Sequence, residues 1–163
     1  MIPGTVFHME KVAQFASMLP PLGALMGLDI GEKTTGIAIS DRSRTVSSPL
    51  CQLQFPKLTH LIHALNPLMQ EHRIVGIVIG FPLNMDGSCG PKAHSVGDKA
   101  IELARQLNCP GLLFDERLST QAVERSMIDH DMTRKKRKKR KDQLAATYFL
   151  QTALNQISYH RPL

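Results

Sequence analysis

The sequence predicts an α/β protein, a mixed sheet with helices on both faces, and three observations carry that expectation. Apolar runs of strand length recur at 25–30, 36–41, 45–50, 74–80 and 111–115, giving five strands. The first three follow one another across short Gly-containing and polar loops, as an antiparallel meander does. The later ones are separated by stretches of helical period, which is how parallel strands are joined. At 163 residues the chain fits one domain, 1–163, with enough material for a core that needs no staples.

Taken in order, residues 3–19 set Val6, Met9, Val12, Ala13 and Ala16 at helical spacing, and Pro20 and Pro21 end the pattern. Residues 1–22 are therefore expected to be a helical N-terminal extension docked on the core. Leu25–Ile30 is an apolar strand that carries Asp29 and meets Gly31. Gly36–Asp41 and Thr45–Leu50 complete the meander. Leu58, Leu61, Ile62, Leu65, Leu68 and Met69 follow a helical period, so 57–72 is a helix. Ile74–Gly80 is continuously apolar and rich in β-branched residues, the pattern of a strand covered on both faces. Pro91–Leu107 reads as a helix, Gly111–Asp115 as a strand, and Ser119–Asp129 as a helix with Ser119 at its N-cap. Gln143–Ile157 forms the last helix.

The charge is uneven. Of 20 Lys+Arg residues, eight are consecutive, Arg134 to Lys141, and they account for the net +6. Setting them aside leaves 12 basic against 14 acidic residues, a net −2. The protein is a near-neutral domain with one dense cationic segment. Eight like charges in a row repel, so 134–141 is expected to be flexible unless a polyanion binds it. Bound to six to eight phosphates of a duplex, it would give a salt slope of roughly −5 to −7. The bland reading is a solvated linker or a localisation signal.

Other classes drop out. No apolar stretch approaches the ~20 residues that span a bilayer. Glu10 and Lys11 interrupt any signal-peptide core. Cys51, Cys89 and Cys109 are odd in number and contain no CxxC pair, which suits reduced cytosolic thiols. The histidines lack metal-ligand spacing, and His60 and His63 fall on the polar side of their helix.

The chemistry is expected among the acids. Asp29 sits inside an apolar strand, where a carboxylate is costly unless paired, hydrogen-bonded or metal-bound. Asp115 and Glu116 end another buried strand, and Asp142 follows the cationic run. Ligands of open α/β sheets bind beyond the carboxyl ends of parallel strands. Carboxylates that converge there repel, and a hard divalent cation such as Mg²⁺ relieves them. Such ions can activate water against a phosphodiester. Each acid also has a structural reading: Asp142 as N-cap of the last helix, Glu116 in a surface ion pair with Arg117, Asp29 with Gly31 as a turn. The segment from Gly80 to Gly90 can present backbone N–H groups and the Asn84 amide to a phosphate, or be an ordinary βα loop. It lacks the Gly-Lys-Ser/Thr of a Walker A loop.

Four stretches resemble the YqgF/RuvX family, the Holliday-junction-resolvase-like branch of the RNase H superfamily: GLDIGEKTTGIAISD (27–41), IVIGFPLNMDGSCGP (77–91), FDERLST (114–120) and TRKKRKKRKDQLAATYFLQ (133–151). They occur in family order and cover most of 25–155. The resemblance implies an RNase H-like fold with sheet order 3-2-1-4-5. It also implies a nuclease that matures the 5′ end of small-subunit precursor rRNA in the bacterial cytoplasm. By motif, the metal-binding acids are Asp29, Glu116 or its neighbour Asp115, and Asp142, with Mg²⁺ or Mn²⁺ as cofactor. Glu32 departs from the family, where Thr is usual, and the cationic run is longer than in many relatives. The helix before the first strand resembles the N-terminal extension of some alphaproteobacterial members.

The leading expectation is thus a metal-dependent nuclease acting on precursor or structured RNA, with no membrane partner. Candidate nucleic-acid contacts are Lys33, Asn84, Arg117 and the run Arg134, Lys135, Lys136, Arg137, Lys138, Lys139, Arg140 and Lys141. The alternatives are a resolvase of branched DNA and a non-catalytic factor that binds RNA or ribosomal particles. A monomer or a weak homodimer is expected.

Overall fold

In the computed structural model, residues 4–117 and 134–160 are described, without the side chains of 134–143. The meander forms as its patterning requires: β2 (Ala24–Ile30), β3 (Thr34–Ser40) and β4 (Ser47–Gln54) pair antiparallel. Gly31 N–H donates to Thr34 O at 2.8 Å and closes the first hairpin. The chain then crosses through α2 (Leu58–Glu71) to β5 (Ile74–Phe81), and through α3 (Pro91–Leu107) to β6 (Gly111–Asp115). Both strands run parallel to β2. Pro91 opens α3 with its φ preset for helix, and Asn108 in the left-handed region (φ 54°) stops it.

The N-terminal segment departs from the expected helix. Val6–His8 is a short strand, β1, followed by a single 3-10 turn and then α1 (Val12–Ser17). β1 pairs parallel with β6 (Val6 opposite Gly111, His8 opposite Leu113), giving a six-stranded sheet in the order β1-β6-β5-β2-β3-β4. The five strands expected from the sequence keep their 3-2-1-4-5 order, and β1 adds a sixth. The physical reason is the open edge of β6, whose unpaired backbone groups are satisfied by any extended segment of suitable register.

The last helix, α4 (Arg134–Ser158), starts nine residues earlier than expected because it includes the cationic run. Lys and Arg are good helix formers, and extending an established helix costs little. Those terms outweigh like-charge repulsion of about 0.2–0.5 kcal/mol per i,i+4 pair. The expected flexible segment is therefore the first two turns of α4, and Asp142 lies inside the helix rather than at its N-cap. The expected helix Ser119–Asp129 lies outside the described residues.

The sheet separates two cores. On one face Met26, Leu28, Ile30, Ile77 and Ile79 pack beneath α2 and α3, which contribute Leu61, Leu65, Ala93, Val96, Ala100 and Leu103. On the other, Leu25, Val78, Leu112 and Phe114 meet Phe15 of α1 and Ala146, Phe149, Leu150, Ala153 and Leu154 of α4. Gln151 ties α4 to the start of β4, accepting from Ser47 N–H at 2.9 Å and donating to Thr45 O at 3.0 Å. Among the described residues, no helix is long and apolar enough to cross a membrane.

Candidate active site

Side chains alternate along a strand, so β2 sends 26, 28 and 30 to one core and 25, 27 and 29 to the other. A Cβ on Gly27 would lie 3.1 Å from both Ala146 O and Leu150 Cβ. Asp29, two residues on, is half-buried on that same α4 face. The register of β2 against β5 pairs Gly27 with Val78 and Leu28 with Ile79, so the next step sets Asp29 beside Gly80. On its other side Gly80 pairs with Phe114 of β6.

Gly80 is the floor of the site. A Cβ there would come within 2.8 Å of Glu116 Oε2 and 2.8 Å of Phe149 Cε2. The Glu116 carboxylate therefore lies over the middle strand, on the α4 face, next to the strand position that carries Asp29. Its backbone is fixed to the same strand, since Glu116 N–H donates to Phe81 O at 3.4 Å.

Asp115 points the other way. It follows Leu113 on the α2/α3 side and is buried. There it takes Arg117 through Nε (2.9 and 3.0 Å), Nη2 (2.6 Å) and the backbone N–H (3.1 Å). The Arg117 hydrogen bonds hold the Asp115 carboxyl below the ordinary carboxylate range, against the opposing pull of burial. The sequence left Asp115 and Glu116 as alternatives. The fold puts Glu116 on the face of Asp29 and commits Asp115 to Arg117. Arg117 thus pairs with Asp115, not with Glu116.

The third acid follows from the backbone of α4. Ile157 lines a small cavity with Pro20 and Pro21, just before β2, while Ala146 lies against Gly27 further along that strand. The helix therefore runs antiparallel to β2. Going back one turn from Ala146 to Asp142 rises about 6 Å, which matches the roughly 6–7 Å from Gly27 to Asp29. Position 142 continues the stripe of Ala146, Phe149 and Ala153 toward the carboxyl end of β2. The cationic positions 134–141 extend further beyond that rim.

The remaining candidates sit around it. Lys33 is exposed in the β2–β3 turn beside Glu32, immediately after the strand of Asp29. Asn84 lies in the loop after β5, its Nδ2 on Ser88 Oγ at 3.0 Å and its side chain over Gly90. Cys109 is no metal ligand in waiting: burial pushes its thiol up to about 12. Among the described residues, no three His, Cys, Asp or Glu form a group that could hold a metal. Asp29 and Glu116 are two carboxylates, and the Asp142 side chain is outside that set.

Two features of the site escaped sequence reasoning. Gly80, read as the end of a strand and the start of the following loop, is the last glycine of a β-branched central strand, which is the signal for a close approach of another group. The Asp115–Arg117 pair spans two residues at a strand end, where the i, i+2 spacing was its only trace.

Known proteins resemble this chain in sequence and in fold. The sequence model of the RuvX family, described as Holliday junction resolvase, matches residues 23–156. A Paracoccus denitrificans protein named "Putative pre-16S rRNA nuclease" is 45% identical over 150 residues, covering 92% of this chain and 95% of its own. One of the same name from Ruegeria pomeroyi is 44% identical over 148 residues, covering 91% and 96%. In fold, the chain is similar to Thermus thermophilus RuvC solved with a Holliday junction substrate, at a TM-score of 0.53 and 13% identity, over 86% of this chain and 99% of that one.

Proposed function

The chain belongs to the RuvX family, and from that premise we propose that it is a phosphodiester-cleaving nuclease that processes the 5′ end of pre-16S rRNA, using Asp29, Glu116 and Asp142. The observation that carries the reading is the Glu116 carboxylate held over Gly80, beside the strand position of Asp29.

These residues fit a hard divalent cation. Carboxylate oxygens are the donors Mg²⁺ and Mn²⁺ prefer, and the missing Cβ of Gly80 leaves a cradle that any other residue would fill. A bound ion would supply Lewis-acid polarisation of the phosphate and a more acidic water. The protein's own part is placement. Asp29 is held in β2, which pairs with β3 on one edge and β5 on the other, and Glu116 by its flanking residues and its backbone bond to Phe81 O. The apolar wall of Phe114 and Phe149 lowers the local dielectric, which strengthens every charge interaction at the rim.

The cationic turns 134–141 hold phosphates and bring a backbone to acids that would otherwise repel it, with Lys33 and Asn84 as further contacts. Such contacts position a strand without reading its sequence. The near-neutral remainder of the domain gives little attraction of its own. The setting is the bacterial cytoplasm, with precursor rRNA or a ribosomal particle as partner. The family description favours one second reading, cleavage of four-way DNA.

The test is a competition. Purified protein with Mg²⁺ or Mn²⁺ is given a pre-16S RNA carrying its 5′ leader together with a four-way DNA junction. Metal-dependent cleavage of the RNA first is expected. Preferential junction cleavage transfers the assignment to the second reading. Cleavage of neither by a folded protein that binds both overturns the enzymatic assignment.

A further inference from the structure

The guanidinium of Arg117 links the Asp115 carboxylate to the backbone of the loop after β5. Beyond its bonds to Asp115, Nη1 donates to Asn84 O at 3.2 Å and to Met85 O at 3.1 Å. It reaches beneath the turn at Gly87, whose φ of 87° only glycine adopts without strain. The loop is itself closed: Gly87 N–H donates to Asn84 O at 2.8 Å and Ser88 N–H to Asp86 Oδ1 at 2.9 Å. One side chain therefore fastens a preformed loop after β5 to the end of β6. The side chains of this pair are 33% exposed for Arg117 and 11% for Asp115, so the bonds form in partial shelter from water.

Glu116 stands between the two clamped residues. With 115 and 117 held on the α2/α3 side, the backbone of 116 has one orientation, which sends its side chain to the opposite face. There its Oε2 lies over Gly80, 2.8 Å from where a Cβ would stand. Because all five donor positions of a planar guanidinium are fixed relative to one another, Lys cannot reproduce the bridge.

We infer that Arg117, locked by Asp115, is a positioning residue that sets the Glu116 carboxylate, rather than a phosphate contact. The inference rests on the reading of Glu116 as a site carboxylate. It makes the loop 84–88 part of the active-site framework, so that anything pressing on that loop is felt at Glu116. It also sets the Asp115–Arg117 ion pair at the back of the rim and the Glu116 carboxylate on the α4 face. Substrate phosphates then fall to the cationic turns of α4.

The test uses the full-length protein as Asp115→Asn, Arg117→Gln, Arg117→Lys, the Asp115→Asn/Arg117→Gln double variant and Glu116→Gln. It measures kcat and KM for metal-dependent cleavage of the RNA, the salt slope of binding and Tm. Each clamp variant should lose at least tenfold in kcat per folded molecule, with KM within about twofold and an unchanged salt slope. The double variant should be no worse than the poorer single one, since both remove the same bridge. Arg117→Lys should not rescue. A raised KM and a shallower salt slope for Arg117→Gln, with Asp115→Asn unaffected, would show a phosphate contact and overturn the inference. A fall in Tm with full kcat per folded molecule would show a purely structural tie and overturn it too. If Glu116→Gln is inactive while the clamp variants are normal, only the clamp fails. If Glu116→Gln keeps metal-dependent cleavage, the reading of the site fails and the inference with it.

Discussion

Replacing Gly80 with alanine adds one methyl group at the point where β5, β6 and α4 meet. That carbon would stand 2.8 Å from Glu116 Oε2 and from Phe149 Cε2, and 3.3 Å from Phe149 Cζ, where ordinary contacts begin near 3.4 Å. The Glu116 carboxylate can swing aside, because it is the end of a flexible chain. The Phe149 ring cannot yield as easily: it is 0% exposed and packed in the α4-side core. Overpacking of this kind costs about 1–3 kcal/mol. At about 2–4 °C per kcal/mol for a chain of this size, Tm should fall by about 2–12 °C. Cleavage should fall further than unfolding explains, by at least tenfold in kcat at a temperature where the variant is folded. Gly76→Ala is the matched control on the same strand and face. Its Cβ would meet Leu25 Cδ2 at 3.0 Å, Leu19 Cδ2 at 3.1 Å and Phe15 Cζ at 3.2 Å, all of them apolar carbons. It should lose stability and keep kcat per folded molecule. Calorimetry and single-turnover cleavage on both variants decide the matter. A Gly80→Ala protein with the wild-type Tm and kcat, or two variants equally impaired in kcat, would show that the space over Gly80 does not serve Glu116.

Two further outcomes follow from the charges. Asp41 accepts from the Ser43 hydroxyl and from the Val46 and Thr45 N–H groups, and these bonds lower its carboxyl to about 2 from an ordinary 3.8. A depressed folded value means its contribution is present above the ordinary value and lost as pH falls toward 2. The Tm gap between wild type and Asp41→Asn should therefore shrink between pH 5 and pH 2, and a gap that widens on acidification contradicts the assignment. In the first turns of α4, replacing Lys135, Lys136, Lys138 and Lys139 with Gln should flatten the salt dependence of binding by about 3 in slope, from 0.7–0.9 per phosphate released. Tm should hold or rise as repulsion is relieved. Unchanged slopes in a binding titration would remove these turns from the interface.

How far the fold could be read from the residues depended on local redundancy. β5 combines a continuous apolar run with β-branched side chains, and α3 has Pro91 at one end and Asn108 in the left-handed region at the other, so both were legible to within a residue. The N-terminal segment offered no such agreement. Val6, Met9 and Val12 fit a helical stripe, and only the vacant edge of β6, a feature of the assembled sheet, favours a strand at 6–8. The cationic run misled for a related reason. Repulsion is visible in the sequence, whereas the helix that carries it is anchored by residues such as Phe149 and Gln151, more than a turn downstream. At the site, Asp29 stood out as a charge inside an apolar strand. The choice between Asp115 and Glu116 did not, because adjacent residues at a strand end differ only in which face they take. That is decided by Arg117 on one side and by the space over Gly80 on the other.

The most direct test of the account is cleavage by Asp29→Asn beside wild type, each with Mg²⁺ and with Mn²⁺, with Tm measured on the same preparations. The substitution keeps the shape of a half-buried side chain and removes its charge, so the fold should persist. Wild type should cut the precursor RNA only with the divalent ion present, and Asp29→Asn should not cut it with either ion. A folded Asp29→Asn protein that retains metal-dependent cleavage would show that Asp29 holds no metal for the reaction.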